Sequence, residues 1–158
     1  MQKTNVMRML DKAKIPYTTV SYEVDESDLS GVHIANTTGM NPETVFKTLV
    51  AKGDRNGFCV FCIPCACEMD LKKAAKVTGD KKVEFLHLKD LLPTTGYIRG
   101  GCSPIGMKKR FPTYIHESAQ DFDIIAVSGG MRGLQVLLSP TALCDFTGAK
   151  FASLITED

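Results

Sequence analysis

Residues 43–64 read "ETVFKTLVAKGDRNGFCVFCIP", and no other stretch restricts the fold as strongly. In its first half, Val45, Lys47, Leu49 and Ala51 would share one face of a strand, and Phe46, Thr48 and Val50 the other. Both faces are largely apolar, the pattern of a strand covered on both sides. "GDRNG" then forms a hairpin-type turn, and "FCVFCIP" supplies the returning strand. Lys47 conflicts with this pattern, because an ammonium group is almost never buried without a partner. Pattern alone leaves two readings open, a lysine that snorkels to solvent and a lysine that works.

Around this hairpin the other elements can be placed by their punctuation. Thr4 is an N-cap for a first helix with Val6, Met9, Leu10 and Ala13 on its inner face, limited by Pro16. "YTTVSYEV" alternates as a strand, and "HIANTTGM" is a short helix closed by Gly39. Asp70 caps a helix in which Leu71, Ala74 and Ala75 face inward and Lys72, Lys73 and Lys76 face water, with Gly79 as its stop. "KVEFL" is a strand and "KDLL" a short helix. "TYIHES", "DIIAV" and "LQVLL" are strand-like, and Ser139-Pro140 opens a last helix that Gly148 ends. With no repeat and no linker, the 158 residues predict a single α+β domain over 1–158, built on a mixed, barrel-like sheet with surrounding helices.

Net charge is +1, so a partner that binds through charge must find a local patch. The longest apolar run, around "CVFCIPCAC", is too short for a bilayer and contains a proline; the N-terminus lacks the apolar core of a secretion signal. The expected setting is the cytoplasm, away from membranes, with the six cysteines as reduced thiols.

Several stretches could carry chemistry. Cys59, Cys62, Cys65 and Cys67 have a spacing that invites a metal, but residues three apart on a strand point to opposite faces. Small core residues are the better reading, with no metal. Two loops with paired glycines follow strand-like segments: Gly100, Gly101, Ser103, Pro104 and Gly106 in one, Ser128, Gly129, Gly130 and Gly133 in the other. Such loops either make ordinary turns or aim backbone N–H groups at an oxyanion. Lys72, Lys73, Lys76, Lys81 and Lys82 form one basic group and Lys108, Lys109 and Arg110 another; a solvated face is the simpler reading of both. His33, His87 and His116 have no ligand spacing. Nucleophile-elbow, phosphate-loop and dinucleotide motifs are missing from the sequence.

"VFKTLVA", "MDLKKAAK", "KKVEF", "TGYIRGGCSPIGMKKRFPT" and "VSGGMRGLQVLLSP", in this order, resemble the YbaK/EbsC-type aminoacyl-tRNA deacylases, relatives of the editing domain in bacterial prolyl-tRNA synthetases. The resemblance implies a compact α+β fold and a site without a cofactor. It implies hydrolysis of mischarged tRNA, chiefly Cys-tRNA(Pro), in trans beside prolyl-tRNA synthetase, by a monomer or weak oligomer. It further implies that the substrate's own thiol attacks the ester and releases a thiolactone. Ala-tRNA(Pro) or another small-amino-acid tRNA is the alternative substrate, and a non-catalytic module that binds tRNA or the synthetase is the alternative of a different class.

Residue by residue, Lys47 matches the family's essential lysine and Tyr22 the tyrosine of its "Y-E-x-D" stretch. Gly100, Gly101, Cys102, Ser103 and Pro104 match one wall of the aminoacyl pocket, and Ser128, Gly129 and Gly130 the other. Cys102 is expected as a wall residue rather than a nucleophile. Met131 departs from the family's lysine, and Gln135 stands where some members have aspartate, which leaves that position out of the expected site.

Overall fold

A computed structural model describes residues 3–157; residues 1, 2 and 158 of the expected domain lie outside them. The first half of the chain contains α1 (Asn5–Lys12), β1 (Thr18–Ser21), α2 (Gly31–Thr38), β2 (Phe46–Gly53), β3 (Gly57–Pro64) and α3 (Leu71–Thr78). The second half contains β4 (Val83–Phe85), α4 (Leu88–Thr95), β5 (Thr113–His116), β6 (Ile125–Ser128), β7 (Leu134–Leu138), α5 (Pro140–Thr147) and β8 (Lys150–Ala152). Two 3₁₀ turns, Pro42–Thr44 and Glu117–Asp121, lead into β2 and out of β5.

The caps fall where the sequence places them. The Thr4 hydroxyl accepts the Met7 N–H at 3.3 Å, and the Asp70 carboxylate accepts the N–H groups of Lys72 and Lys73. Gly39, Gly79 and Gly148 close α2, α3 and α5. Two inner faces need correction. α1 ends at Lys12, so Ala13 lies past its last turn and is exposed, while Met7 takes the buried place. Leu71 is the first residue of α3 and stands 37% exposed; Ala74 and Ala75 carry the contact, with Val77 packed partly against it. Strand β8 has no strong pattern of its own and exists because it pairs in parallel with β5.

The strands form two sheets, an antiparallel one of order β1-β7-β6 and a mixed one of order β4-β2-β3-β5-β8. They meet where Val45, just before β2, makes a parallel bridge with Ala126 of β6. Between them lies the main core: Phe46, Cys62 and Ile115 from the mixed sheet against Ile125, Val127, Leu134, Val136 and Leu138 from the other. Helix α1 adds Val6, Met7 and Leu10, and α5 adds Leu143. Behind the mixed sheet, Ala51, Cys59, Phe61 and Ile63 pack on Ala74 and Ala75 of α3, with Val83 and Leu154. The central hairpin is thus covered on both sides, and Cys59 and Cys62 face opposite cores. This is the α+β, mixed-sheet class that the sequence predicts. Each large aliphatic or aromatic side chain so buried contributes about 1.5–3 kcal/mol.

His116 ends β5 among these buried groups, and its Nδ1 accepts the Leu154 N–H at 3.1 Å. Burial holds its pKa below 6.5, with Glu117 opposing and Lys73 adding to the shift. Its folded pKa is depressed, so its contribution is present above the unfolded value and is lost as pH falls from about 6.5. Protonation also turns the accepting nitrogen into a donor. In urea titrations between pH 7.5 and 5, the wild type should lose stability on acidification, and His116→Asn should lose less over the same range.

Candidate functional site

Two residues past the Val45–Ala126 bridge, Lys47 enters a cleft of about 340 Å³. Ser128 at the end of β6 and Gln135 on β7, opposite each other in register, line it from the second sheet. Cys65, just after β3, lines it from the mixed sheet, and Gly100 and Cys102 from the loop that follows α4. The cleft is therefore a gap at the seam of the two sheets, floored by strands.

Lys47 is half-buried and paired with Ile63 across the hairpin, and its ammonium has no hydrogen bond or ion pair among the described residues. A cation partly removed from water without a counter-charge is costly to keep, and an anionic or partly negative ligand offsets that cost. Gln135 poses the complementary case. It is 3% exposed, and its Oε1 has no donor among the described residues. An unmet buried acceptor costs about 1–3 kcal/mol. Together they form a cation and an acceptor that the protein itself leaves unused.

The glycine loops are locked to each other. The Gly101 N–H donates to the Ile98 carbonyl at 3.0 Å across a turn in which Gly100 has φ 85°, the conformation that favours glycine. A Cβ on Gly101 would lie 3.2 Å from the backbone of Met131 and Arg132, so the two loops touch main chain to main chain. In the second loop, the Gly129 N–H donates to the Leu134 carbonyl and the Gly130 N–H to the Ser128 hydroxyl. These three donors are occupied internally. Among the described residues, the N–H groups of Gly100 and Cys102, which line the cleft, have no acceptor, as is also true of those of Leu29, Gly31 and Arg99.

The structure thus brings Lys47, Gly100, Cys102 and Ser128 together around one cleft. Gly101, Gly129 and Gly130 sit behind them as packing and turn residues. Ser103 is buried, its hydroxyl accepting the Ile105 N–H, and Pro104 lines a separate cavity with Met9 and Phe146. Tyr22 does not line the cleft; its N–H donates to the Gly133 carbonyl and ties the end of the second loop to β1. Gln135 was left out of the expected site, yet it lines the cleft. Its one sequence signal is a polar residue inside the apolar run "LQVLL". Of the second basic group, Lys108 donates to the Pro93 carbonyl and Arg110 to the Phe146 carbonyl, so these two cations serve helix ends.

Neither cleft thiol is poised as a nucleophile. Burial pushes Cys102 up to about 12. Burial also raises Cys65, with Lys47 opposing. Both are protonated near neutral pH, and the thiol form attacks esters poorly.

A sequence model described as "Aminoacyl-tRNA editing domain" matches residues 31–146. The chain belongs to this family. It is 51% identical to the Enterococcus faecalis protein named "Putative Cys-tRNA(Pro)/Cys-tRNA(Cys) deacylase EbsC", over 99% of this chain and 96% of that one. Among solved structures, one described as "a putative trans-editing enzyme for prolyl tRNA synthetase" superposes with a TM-score of 0.81 at 21% identity, covering 99% of this chain and all of that one (100%). The protein APE2540 superposes with a TM-score of 0.88 at 17% identity, over 97% of this chain and 100% of its own. These two likenesses establish the fold. As a member of the editing family, the protein is an aminoacyl-tRNA deacylase. No helix among the described residues is long and apolar enough to cross a membrane.

The protonated state of Cys102 is directly measurable. With its pKa near 12 against an ordinary 9, its thiolate fraction should be about a thousandfold below that of a free thiol. Alkylation by iodoacetamide at pH 8, read by mass spectrometry, should leave Cys102 unmodified while a cysteine peptide reacts fully, and Cys102→Ala should retain deacylase activity.

Proposed function

We propose that this protein clears cysteine mischarged onto tRNA(Pro), working in trans beside prolyl-tRNA synthetase in the cytoplasm as a single editing domain. One observation carries the reading: the cleft lining holds an unpaired cation and a buried, unmet acceptor while keeping its own thiols protonated. Such a site can orient an ester and stabilise charge, and it supplies no cysteine nucleophile. A substrate that carries its own thiol fits it. The identity of 51% to a protein named for Cys-tRNA supports the same substrate.

In the proposed reaction, the Lys47 ammonium lies near the ester and the terminal ribose. The α-ammonium of the aminoacyl group donates to Gln135 Oε1, and the N–H groups of Gly100 and Cys102 are available to the carbonyl oxygen. The substrate sulfur bonds to the carbonyl carbon, and the carbon–oxygen bond to ribose breaks. The ribose oxygen takes the thiol proton, and cysteine leaves as a cyclic thiolactone that water then opens. Selectivity follows from chemistry more than from shape, since an alanyl or prolyl ester has no thiol. A synthetase pocket cannot separate amino acids of similar size well, which is why a second site is needed. Tyr22, Gly101, Ser103, Pro104, Gly129 and Gly130 take part as the frame of the two loops.

Deacylation of cysteinyl-, S-methylcysteinyl-, alanyl- and prolyl-tRNA(Pro) tests this. Only the cysteinyl ester should be cleaved rapidly, and Gln135→Leu should slow it about tenfold through the lost contact. Equal cleavage of the S-methyl ester would remove the thiol from the mechanism, and cleavage of alanyl ester alone would make alanine the substrate. Ester lifetimes unchanged by the protein in every case would overturn the enzymatic role.

A further inference from the structure

Two arginines that the mechanism does not use stand together at the mouth of the cleft. Arg99 occupies the corner of the Ile98–Gly101 turn, is exposed, and borders the cleft. Arg132, on the second glycine loop, donates its Nε–H to the Arg99 carbonyl at 2.8 Å. Its side chain passes over the turn, with Cγ and Nε each 3.4 Å from where a Cβ on Gly100 would be. The two cations are thus held on one turn of backbone, with the Nη groups of both available. Neither is paired with a carboxylate among the described residues.

Some of the other cations are engaged within the molecule. Lys3, Lys73 and Lys82 pair with acidic side chains, and Lys108 and Arg110 bind carbonyls. With a net charge of +1, two unneutralised guanidinium groups on one turn do not follow from general basicity. Holding like charges together is unfavourable until an anion arrives, and a phosphodiester accepts bidentate bonds from a guanidinium. Beside the arginines, Ile98 is 47% exposed and Met131 52% exposed. They offer apolar surface next to the charge, the combination that unpaired nucleotides require for base and backbone together.

We infer that Arg99 and Arg132 bind the phosphodiesters of the single-stranded 3′ end of the tRNA, with a base resting on Ile98 and Met131, so that the ester is delivered inward to Lys47. This rests on the deacylase reading for its ligand. It assigns the residue at 131 a packing role, and it assigns grip to a pair of residues outside both basic runs of the sequence.

The test is binding of an uncharged acceptor-stem RNA hairpin ending in CCA, followed by fluorescence anisotropy over a series of salt concentrations. Arg99→Gln removes no hydrogen bond of its side chain among the described residues. Arg132→Lys retains a donor near the Arg99 carbonyl. Together the two changes should weaken binding about tenfold, with a salt dependence shallower by about one unit of slope. Removal of the CCA end should weaken the wild type similarly and leave the variant unaffected. Cleavage of cysteinyl-adenosine, which has no phosphate, should be unchanged in the variant, showing an intact site. Unchanged RNA affinity would overturn the inference, as would inorganic phosphate at millimolar concentration displacing the RNA from the wild type, which would mark a site for the free ion. Because the binding arm needs no turnover, an inactive wild type that still shows the arginine-dependent binding would count against the deacylase reading alone.

Discussion

The single bridge between Val45 and Ala126 governs this structure. It joins an antiparallel sheet to a mixed one at the point where β2 begins, and the seam is reinforced where the Cys65 N–H donates to the Val45 carbonyl at 2.8 Å. Val45, Ala126, Ala35 and Cys65 close a small core around it. Beyond the seam a cleft opens, and the next inward-facing position on β2 is Lys47. A strand that is largely buried on both sides therefore carries Lys47 at the place where cover is incomplete. Rigid strands on either side limit how far that cation can move.

The two glycine loops complete the cleft by close backbone contact. Three of their main-chain donors, those of Gly101, Gly129 and Gly130, are turned inward, to the Ile98 carbonyl, the Leu134 carbonyl and the Ser128 hydroxyl. Their first effect is to fix shape, while Gly100 and Cys102 at the cleft keep N–H groups that have no acceptor among the described residues. Fixed shape matters because electrostatic stabilisation requires donors already in position. The thiols of the site are protonated by burial, which leaves neither as a ready thiolate.

Much of this was legible in the sequence because local rules and tertiary structure agree. Period-two alternation placed Cys59 and Cys62 on opposite faces, and capping residues located the ends of α1, α3 and α5. Lys47 stood out because one charged residue broke an apolar pattern. What escaped depends on neighbours remote in the chain. β8 is three residues long and is a strand only through β5. Gln135 resembles any polar residue within a strand until the fold leaves its oxygen unmet and puts the residue in the cleft lining. Arg99 lies in no basic run, and its proximity to Arg132 follows from loop contact alone. Conversely, Tyr22 belongs to the expected site and Pro104 shares a motif with Gly100 and Cys102, yet the fold sets both outside the cleft lining.

The account stands or falls on the half-buried cation. Single-turnover deacylation of Cys-tRNA(Pro) by wild type, Lys47→Arg and Lys47→Met, with unfolding midpoints measured on the same samples, tests it most directly. Lys47→Met should lose about 10²–10³-fold in rate, with stability equal to or above wild type because an uncompensated charge leaves the cleft. Lys47→Arg should keep part of the rate. A Lys47→Met protein that folds normally and deacylates at the wild-type rate would contradict the central claim.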